Sequence, residues 1–274
     1  LPVVLLAIFD GPKRPGHKRD KSVRSVPHWM TARTRDFLEA FGHYSITAPG
    51  EAEAELSYLN RIGHIDAVLT DDSDVLVFGA QQIIRNPQDK KKPDTVFLYD
   101  VAHFSVQNQT PIMADGLLLF AILQGGDYSK GLPHCGKVTS YALTNTSLGS
   151  LLRFATEDYC NNVDLQQYLD DEWAPMLTHQ LIHDPDSFIG RKCPKAALAI
   201  PAHFPNAKTV RQYVQPLTSP GATNLPSLDI TNDIDIQRLV YLCDRLFLWG
   251  LDAVIVEKFQ KSVWPCTCIQ KLLK

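Results

Sequence analysis

The sequence predicts an α/β fold in which helices flank a mainly parallel sheet and a helical C-terminal region follows. Residues 2–9 form a continuous apolar run rich in β-branched side chains, which is typical of a strand buried on both faces of a parallel sheet. Strand and helix patterns then alternate as far as residue 69, as they do in βαβ units. Beyond residue 145 the pattern is mainly helical.

The composition is that of an ordinary globular protein. With 274 residues, 45% of them hydrophobic and 21% charged, the chain can bury one large core or two small ones. A net charge of −3 argues against a protein that coats polyanions, although an average conceals local clusters of acids or bases. Only Cys266 and Cys268 lie close together among six cysteines, so we expect reduced, intracellular thiols.

The apolar start of the chain predicts neither a secretory signal nor a membrane span. No basic segment precedes residues 2–9, no small-residue cleavage site follows them, and the run is too short to cross a bilayer. Because Leu1 leads directly into a predicted core strand, we expect the chain to be a fragment or a processed form.

The next segments supply a basic stretch and two strand–helix pairs. Residues 13–35 hold eight lysines and arginines against one acid, and two prolines break regular structure there. Phe37, Leu38 and Phe41 predict a helix that ends at Gly42, and a strand follows at residues 44–47. A second helix begins after Pro49 and Gly50, and residues 65–69 form the next strand.

Later segments predict a hairpin and several helices. Residues 83–85 and 95–99 have the pattern of hairpin strands around a polar loop. Residues 113–123 predict an apolar helix that is ended by two glycines, so that Asp127 emerges at its end. We predict an irregular, proline-containing stretch at residues 194–226 and a final helix at residues 234–249.

Acidic residues occur in four short blocks that follow strands or adjoin helix ends. Because the carboxyl ends of parallel strands meet at one edge of a sheet, we expect most of these side chains to converge there. Gathered carboxylates repel one another unless a cation neutralises them or some of them are protonated. The pattern therefore predicts a site for divalent metal ions that acts on phosphate, formed by Asp10, Glu51, Glu53, Asp72, Asp74 and Asp127.

The acidic blocks also permit other interpretations. A calcium loop starting at Asp72 requires glycine and glutamate at positions that are occupied by Val77 and Ile83, so this alternative fails. A phosphatase with an aspartate nucleophile remains an alternative, although it leaves Glu51 and Glu53 unexplained. Within a helix those two glutamates would point about 200° apart, so Glu55 is kept as a reserve ligand.

The ordered motifs resemble the XPG and flap-endonuclease superfamily of structure-specific nucleases, and in particular its Holliday-junction-resolvase branch as found in fungal PIN-domain-like proteins. Four blocks carry the resemblance, most specifically over residues 1–145. They are Phe9-Asp10-Gly11, residues 48–54 (APGEAEA), residues 70–74 (TDDSD) with residues 78–80 (FGA), and Gly126-Asp127-Tyr128 followed by residues 131–139 (GLPHCGKVT).

The resemblance implies a PIN-like nuclease domain at residues 1–126, followed at residues 127–274 by a helix-two-turn-helix element and a helical region. It implies a nuclear enzyme that cuts branched DNA with two Mg²⁺ or Mn²⁺ ions, held by the six acids named above. It also implies K⁺ at residues 131–139, which we call the glycine hairpin, a possible dimer on a four-way junction, and no membrane partner. The implied DNA contacts are Lys13, Arg14, Lys18, Arg19, Lys21, Arg24, Gly131, Gly136, Lys137 and Thr139.

One departure from the family bears on activity. The family begins with a further strand that supplies another metal-binding aspartate, and this sequence starts after that strand. A catalytically silent DNA-binding relative therefore stays open as an alternative, beside the phosphatase.

Overall fold

A computed structural model describes residues 3–18, 21–22, 26–86, 95–102, 114–221, 225–228, 232–250 and 252–273. The chain forms two compact units. The first unit comprises residues 1–12, 24–48 and 219–274, and the second comprises residues 13–23 and 49–218. Residue 126, where the sequence analysis placed a domain boundary, lies inside the second unit.

Short strands and many helices make up the described chain. The strands are β1 (Leu6–Phe9), β2 (His17–Lys18), β3 (Lys21–Ser22), β4 (Tyr44–Thr47), β5 (Val68–Leu69), β6 (Gln82–Arg85) and β7 (Phe97–Asp100). The helices are α1 (Thr31–Ala40), α2 (Ala52–Arg61), α3 (Asp74–Val77), α4 (Ala114–Gln124), α5 (Lys137–Leu143), α6 (Leu148–Asp158), α7 (Asn162–Tyr168), α8 (Ala174–His183), α9 (Pro194–Leu198), α10 (Ala207–Val214), α11 (Ile236–Phe247), α12 (Asp252–Ser262) and α13 (Trp264–Leu273). A π-helical turn, Leu169–Trp173, joins α7 to α8.

In the first unit, β1 pairs in parallel with β4, and Leu6 lies opposite Tyr44. The parallel pairing agrees with the predicted sheet. The side chains of β1 are only half-buried, however, so the expectation of burial on both faces is wrong for this strand.

Helices complete the first unit. The predicted helix after the basic stretch is α1, and the backbone turns away from it at Gly42, whose φ of 77° favours glycine. The helix predicted at residues 234–249 is α11, which is capped by the Asp235 side chain accepting a hydrogen bond from the backbone N–H of Arg238 at 2.9 Å. It is not the final helix, as predicted, because α12 and α13 follow it. Buried residues of α1, α11 and α12 form one apolar cluster, which includes Ala40, Leu239 and Phe259.

In the second unit, a small mixed sheet supports the acidic blocks. β5 pairs in parallel with β6, and β6 pairs with β7 in antiparallel fashion, which confirms the predicted hairpin. Val68, Val75 and Ile83 are buried together between this sheet and α3. The sheet thereby fixes the short segment between β5 and α3, which contains Asp72 and Asp74.

The larger core of the second unit is helical. It begins with α4, which is buried on several sides and packs closely against α5 and α6. Trp173 is fully buried and donates from Nε1 to the carbonyl oxygen of Leu148 at 2.9 Å. This packing fixes the end of α4, from which Asp127 follows in the next loop.

The prediction of an irregular stretch at residues 194–226 is wrong for part of it, since the stretch contains α9 and α10. Pro194 is the first residue of α9, where its missing N–H costs nothing. Asn206 caps α10 by accepting a hydrogen bond from the backbone N–H of Lys208 at 3.0 Å. Pro194 and Asn206 therefore mark the starts of two helices. A prediction that takes prolines as signs of irregular structure does not detect these helices. In the described part of the chain, no helix is long and apolar enough to cross a membrane.

Candidate metal and nucleic-acid site

Glu51 is the residue on which the candidate site in the second unit is built. It is the N-cap of α2, with an extended backbone (φ −85°, ψ 142°), and only 7% of the residue is exposed. Its side chain does not cap the helix. Instead, Glu51 accepts a hydrogen bond from the Tyr128 hydroxyl and forms an ion pair with Lys18. The rule of 100° per residue does not apply to Glu51 and Glu53, because Glu51 precedes the helix.

Lys18 connects Glu51 to Asp127. It lies in β2, and its ammonium Nζ is 3.1 Å from Asp127 Oδ2 in addition to its contact with Glu51. Burial alone would lower the pKa of Lys18, but hydrogen bonds and charges from the two carboxylates outweigh burial and raise that pKa. Lys18 is therefore a permanent cation between two acids that come from distant parts of the chain.

Asp72 and Asp74 lie between β5 and α3. The carboxylate of Asp72 accepts a hydrogen bond from the backbone N–H of Asp74 at 2.9 Å, which fixes the turn into α3. Burial and, after it, the negative charges of Asp72, Asp127 and Glu53 together raise the pKa of Asp74 to about 6, against the opposing charge of Lys18. Five predicted acids of this unit therefore share one electrostatic cluster, which we call the acid cluster: Glu51, Glu53, Asp72, Asp74 and Asp127.

The sixth predicted acid, Asp10, belongs to the first unit. It is exposed and directly follows β1, as predicted for a side chain at the carboxyl end of a strand. Beside it, the guanidinium of Arg35 lies 4.5 Å above the ring of Phe9. The reserve candidate, Glu55, is in the second unit and is completely buried within α2.

Tyr213 was missed by the sequence analysis. It lies on α10, only 3% of the residue is exposed, and its ring meets the ring of Tyr128 edge-on with 4.7 Å between centroids. Burial raises the pKa of Tyr213, and the carboxylates of Asp74, Asp127, Glu51 and Asp72 raise it further. A lone tyrosine in a stretch without a motif gives no sequence signal for such a position.

The donor chemistry of the acid cluster suits a hard divalent cation. Carboxylate oxygens are the ligands that Mg²⁺ and Mn²⁺ prefer, and the Lys18 ammonium already stands between Glu51 and Asp127 as a positive charge. Within the described residues, no group of three or more His, Cys, Asp or Glu side chains is arranged closely enough to hold a metal ion. The cluster therefore fits the ions chemically, and its side chains must move to coordinate them.

A groove with basic walls adjoins the acid cluster. It has a volume of about 780 Å³ and shares Glu51 and Tyr128 with the cluster. Its other charged residues are Lys13, Arg14, Lys208 and Arg211. Arg211 has a structural role as well, since it donates to the carbonyl oxygen of Tyr159 at 2.7 Å and to Asn162 Oδ1 at 2.9 Å.

The loop that contains Asp127 closes on itself just before the glycine hairpin. The loop starts at Gly125 and returns at Gly131, both with positive φ, and a Cβ at Gly131 would lie 2.5 Å from the carbonyl carbon of Gln124. Gly136 precedes α5, is exposed, and has open space around its Cα. Gly131 is therefore required for close packing of the backbone, whereas Gly136 is required by no packing contact.

The other predicted DNA contacts have different surroundings. Lys137 is exposed at the start of α5. Thr139 is buried, with its hydroxyl 3.9 Å from Cys193 Sγ, and its contact with DNA stays a prediction. Lys21 has a described backbone but no described side chain, and Arg19 and Arg24 lie outside the described residues.

Comparison with known families identifies the acidic segment. The sequence model of the family described as XPG I-region matches residues 42–127, which contain all five members of the acid cluster. Residues 42–127 are thus similar to an XPG I-region. The predicted resemblance to the XPG and flap-endonuclease superfamily is thereby confirmed. Lys18 and Tyr213 lie outside residues 42–127 and adjoin this range through the fold.

Two curated mouse proteins are also similar to this chain. The chain is 26% identical to DNA excision repair protein ERCC-5 over 268 residues, which are 95% of this chain and 20% of that protein. It is 37% identical to Flap endonuclease GEN homolog 1 over 133 residues, which are 47% of this chain and 14% of that protein. The chain thus spans a fifth or less of the length of these relatives.

A solved structure confirms the predicted α/β, PIN-like fold class. The Holliday junction-resolving enzyme GEN1, in complex with product DNA, Mg²⁺ and Mn²⁺ ions, matches 99% of this chain and 61% of its own chain. The TM-score is 0.75 and the sequence identity is 28%. The segment that matches the XPG I-region model is therefore set in a PIN-like α/β fold.

Proposed function

We infer that the protein is a structure-specific endonuclease, dependent on Mg²⁺ or Mn²⁺, that hydrolyses phosphodiester bonds in branched DNA of flap or Holliday-junction type. Repair or recombination in the nucleus is the corresponding role. The observation that carries this inference is the contact of Lys18 with Glu51 and Asp127, inside an acid cluster that opens on a basic groove.

The acid cluster supplies carboxylates for metal ions, and the role of Asp10 as a ligand stays a prediction from the sequence. Bound at such carboxylates, Mg²⁺ lowers the pKa of an attacking water and stabilises the leaving 3′ oxygen. The protein's own contribution is to hold these oxygens in place. Packing of β5 against β6 fixes the Asp72–Asp74 turn, and the buried end of α4 fixes Asp127.

Lys18 has a second partner in the proposed reaction. Its ammonium is a mobile point charge on a flexible stem, suited to a phosphate oxygen as well as to a carboxylate. When the carboxylates of Glu51 and Asp127 turn away from Lys18 toward divalent cations, the Lys18 ammonium would lie beside the scissile phosphate. It would donate a hydrogen bond to a non-bridging oxygen of that phosphate. Such a contact strengthens as negative charge develops on the phosphate.

The basic groove would hold the DNA strand that leaves the acid cluster. Lys13, Arg14 and Lys208 line it, and cations on a groove bind phosphates without reading bases. At the glycine hairpin, the exposed Gly136 and Lys137 offer backbone N–H groups and one further cation to a second stretch of phosphates, with K⁺ as an additional bound ion. Recognition would therefore depend on the shape of the DNA, and two copies of the chain could occupy one junction.

A cleavage assay with three substrates tests this function. The purified chain is incubated with Mg²⁺ and a 5′-flap or four-way-junction DNA, the matched linear duplex, or a phosphomonoester. We expect cuts near the branch that Asp72→Asn abolishes. Binding of branched DNA by the wild type without any cutting would instead identify a silent relative, and turnover of the phosphomonoester alone would identify the aspartate phosphatase.

A further inference from the structure

The loop between α8 and α9, residues 184–193, is held in place by its own backbone. The carboxylate of Asp184 accepts hydrogen bonds from two backbone N–H groups of the same loop, at 3.1 Å and 2.7 Å. The N–H of Cys193 donates to the carbonyl oxygen of Leu181 at 2.7 Å, so the end of the loop returns to α8. Because contacts fix the loop at both ends, the two cations that precede Cys193 have a defined backbone position.

These two cations, Arg191 and Lys192, are adjacent in the sequence and exposed. Within the described part of the chain, neither side chain forms an ion pair with an acid. Asp184, an acid of the same loop, is engaged by the loop's own N–H groups. Because no carboxylate neutralises Arg191 and Lys192, both positive charges stay available to an incoming anion.

The sulfur of Cys193 joins this loop to the glycine hairpin. Cys193 Sγ lies 3.9 Å from the hydroxyl of Thr139 and 3.9 Å from the carbonyl oxygen of Arg191. Thr139 belongs to the first turn of α5, which begins at Lys137, an exposed cation that also has no ion pair among the described residues. Three exposed cations, which we call the cation patch, therefore lie in two segments that meet at Cys193: Lys137, Arg191 and Lys192.

We propose that Arg191 and Lys192 bind phosphates of a duplex arm of branched DNA, next to the phosphates held at the glycine hairpin. The proposal rests on the proposed function, because that function places DNA at the hairpin. Duplex DNA carries one negative charge for about every 1.7 Å of its axis, so cations in two adjoining segments can contact neighbouring phosphates. No member of the cation patch lines the basic groove, so the patch is a second contact with the DNA. It contributes affinity and position without reading bases.

A double variant that combines Arg191→Glu and Lys192→Glu tests this proposal. Binding of 5′-flap DNA is measured without divalent metal by fluorescence anisotropy at several KCl concentrations. We expect affinity to fall by about tenfold and the salt dependence to lose a slope of about two, as for two phosphate contacts. The control combines Lys261→Glu and Lys271→Glu, the same change of charge on exposed residues of α12 and α13, and should lose less affinity. Equal losses in the two double variants would overturn the proposal.

Replacing single phosphates locates the contact on the DNA. A methylphosphonate removes one negative charge, and it is placed in turn at each position of the duplex arms of the flap DNA. We expect positions at which it weakens binding of the wild type but not of the variant with Arg191→Gln and Lys192→Gln, because both changes break the same contact. Neighbouring positions should respond in the same way to Lys137→Met. If every position weakens the wild type and the glutamine variant equally, Arg191 and Lys192 contact no phosphate and the proposal is wrong.

Measuring binding without metal also separates this proposal from the proposed function. If the wild type binds branched DNA and never cuts it, the endonuclease function fails while the role of the cation patch is still measured. If the wild type cuts branched DNA and the double variant with Arg191→Glu and Lys192→Glu binds as tightly as the wild type, the role of the cation patch fails alone.

Discussion

The ammonium group of Lys18 lies 3.1 Å from Asp127 Oδ2 and also pairs with Glu51. A protein cation therefore occupies the space that a metal ion bound by the same two carboxylates would need. If a metal ion binds these carboxylates as proposed, Glu51 and Asp127 must exchange Lys18 for the metal. The predictions below follow from this arrangement and from the packing around it.

Replacing Lys18 with methionine should reduce cleavage of branched DNA by about 100-fold, since one donor to the developing charge on the phosphate is lost. It should also lower the free energy of unfolding of the metal-free protein by about 1–3 kcal/mol, because Glu51 stays buried with one partner fewer. Single-turnover cleavage and urea unfolding measure the two effects. Lys261→Met, which removes an exposed lysine of α12, is the control and should change neither. An unchanged cleavage rate in Lys18→Met would contradict the role of its ammonium.

The contribution of Asp74 to the stability of the metal-free protein should fall as the pH rises from about 4 to about 7. The pKa of Asp74 is raised to about 6 from 3.8, so over this range the folded state holds a proton that the unfolded state has lost. Affinity for Mn²⁺ should rise over the same range, because a proton and the metal compete for the carboxylate. Melting temperatures and Mn²⁺ titrations at several pH values check both trends.

The variant Asp74→Asn supplies the comparison for that experiment. It should melt at a higher temperature than the wild type at pH 7 without metal, since one of several repelling charges is removed, and its melting temperature should depend less on pH. A pH profile identical to that of the wild type would show that another group is responsible.

Charge reversal in the groove should weaken DNA binding. For Lys208→Glu we expect lower affinity for flap DNA and a salt dependence whose slope is reduced by about one, as for the loss of one phosphate contact. Fluorescence anisotropy at several KCl concentrations measures both quantities. Lys195→Glu makes the same change of charge on an exposed residue of α9, which does not line the groove, and should have the smaller effect. Equal losses in the two variants would mean that overall charge, and not the groove, governs binding.

The two glycines of the hairpin should respond differently to alanine. Gly131→Ala should lower the free energy of unfolding by more than about 2 kcal/mol, because φ is 75° there and the new Cβ would meet the Gln124 backbone at 2.5 Å. Gly136→Ala should have little effect on stability, since no atom lies within 4 Å of the added Cβ. Urea unfolding of both variants measures the difference, and similar losses would contradict the described packing.

The sequence was sufficient to predict the acid cluster, because each of its members adjoins a strand or helix whose end can be recognised from the hydrophobic pattern. Asp74 after β5 and Asp127 after α4 are the clearest cases. The partners of these acids were harder to predict from the sequence. Lys18 was one of many basic residues in a segment without periodicity, and nothing in its neighbourhood distinguished it from Lys21. Tyr213 and the helix that carries it were hidden in a stretch whose prolines suggested a loop, and only tertiary packing brings them to the site.

The backbone contact between Gly125 and Gly131 has a consequence for how this loop can vary in length. The N–H of Leu132 donates to the carbonyl oxygen of Leu123 at 2.8 Å, so the chain leaves α4 and returns to it at a fixed point. Inserting or deleting a single residue between these glycines would separate the two backbones and shift Asp127 away from Lys18. The loop between Gly125 and Gly131 should therefore accept no change in length. The chain after α5 takes no part in this backbone contact, so the same restriction does not apply to it.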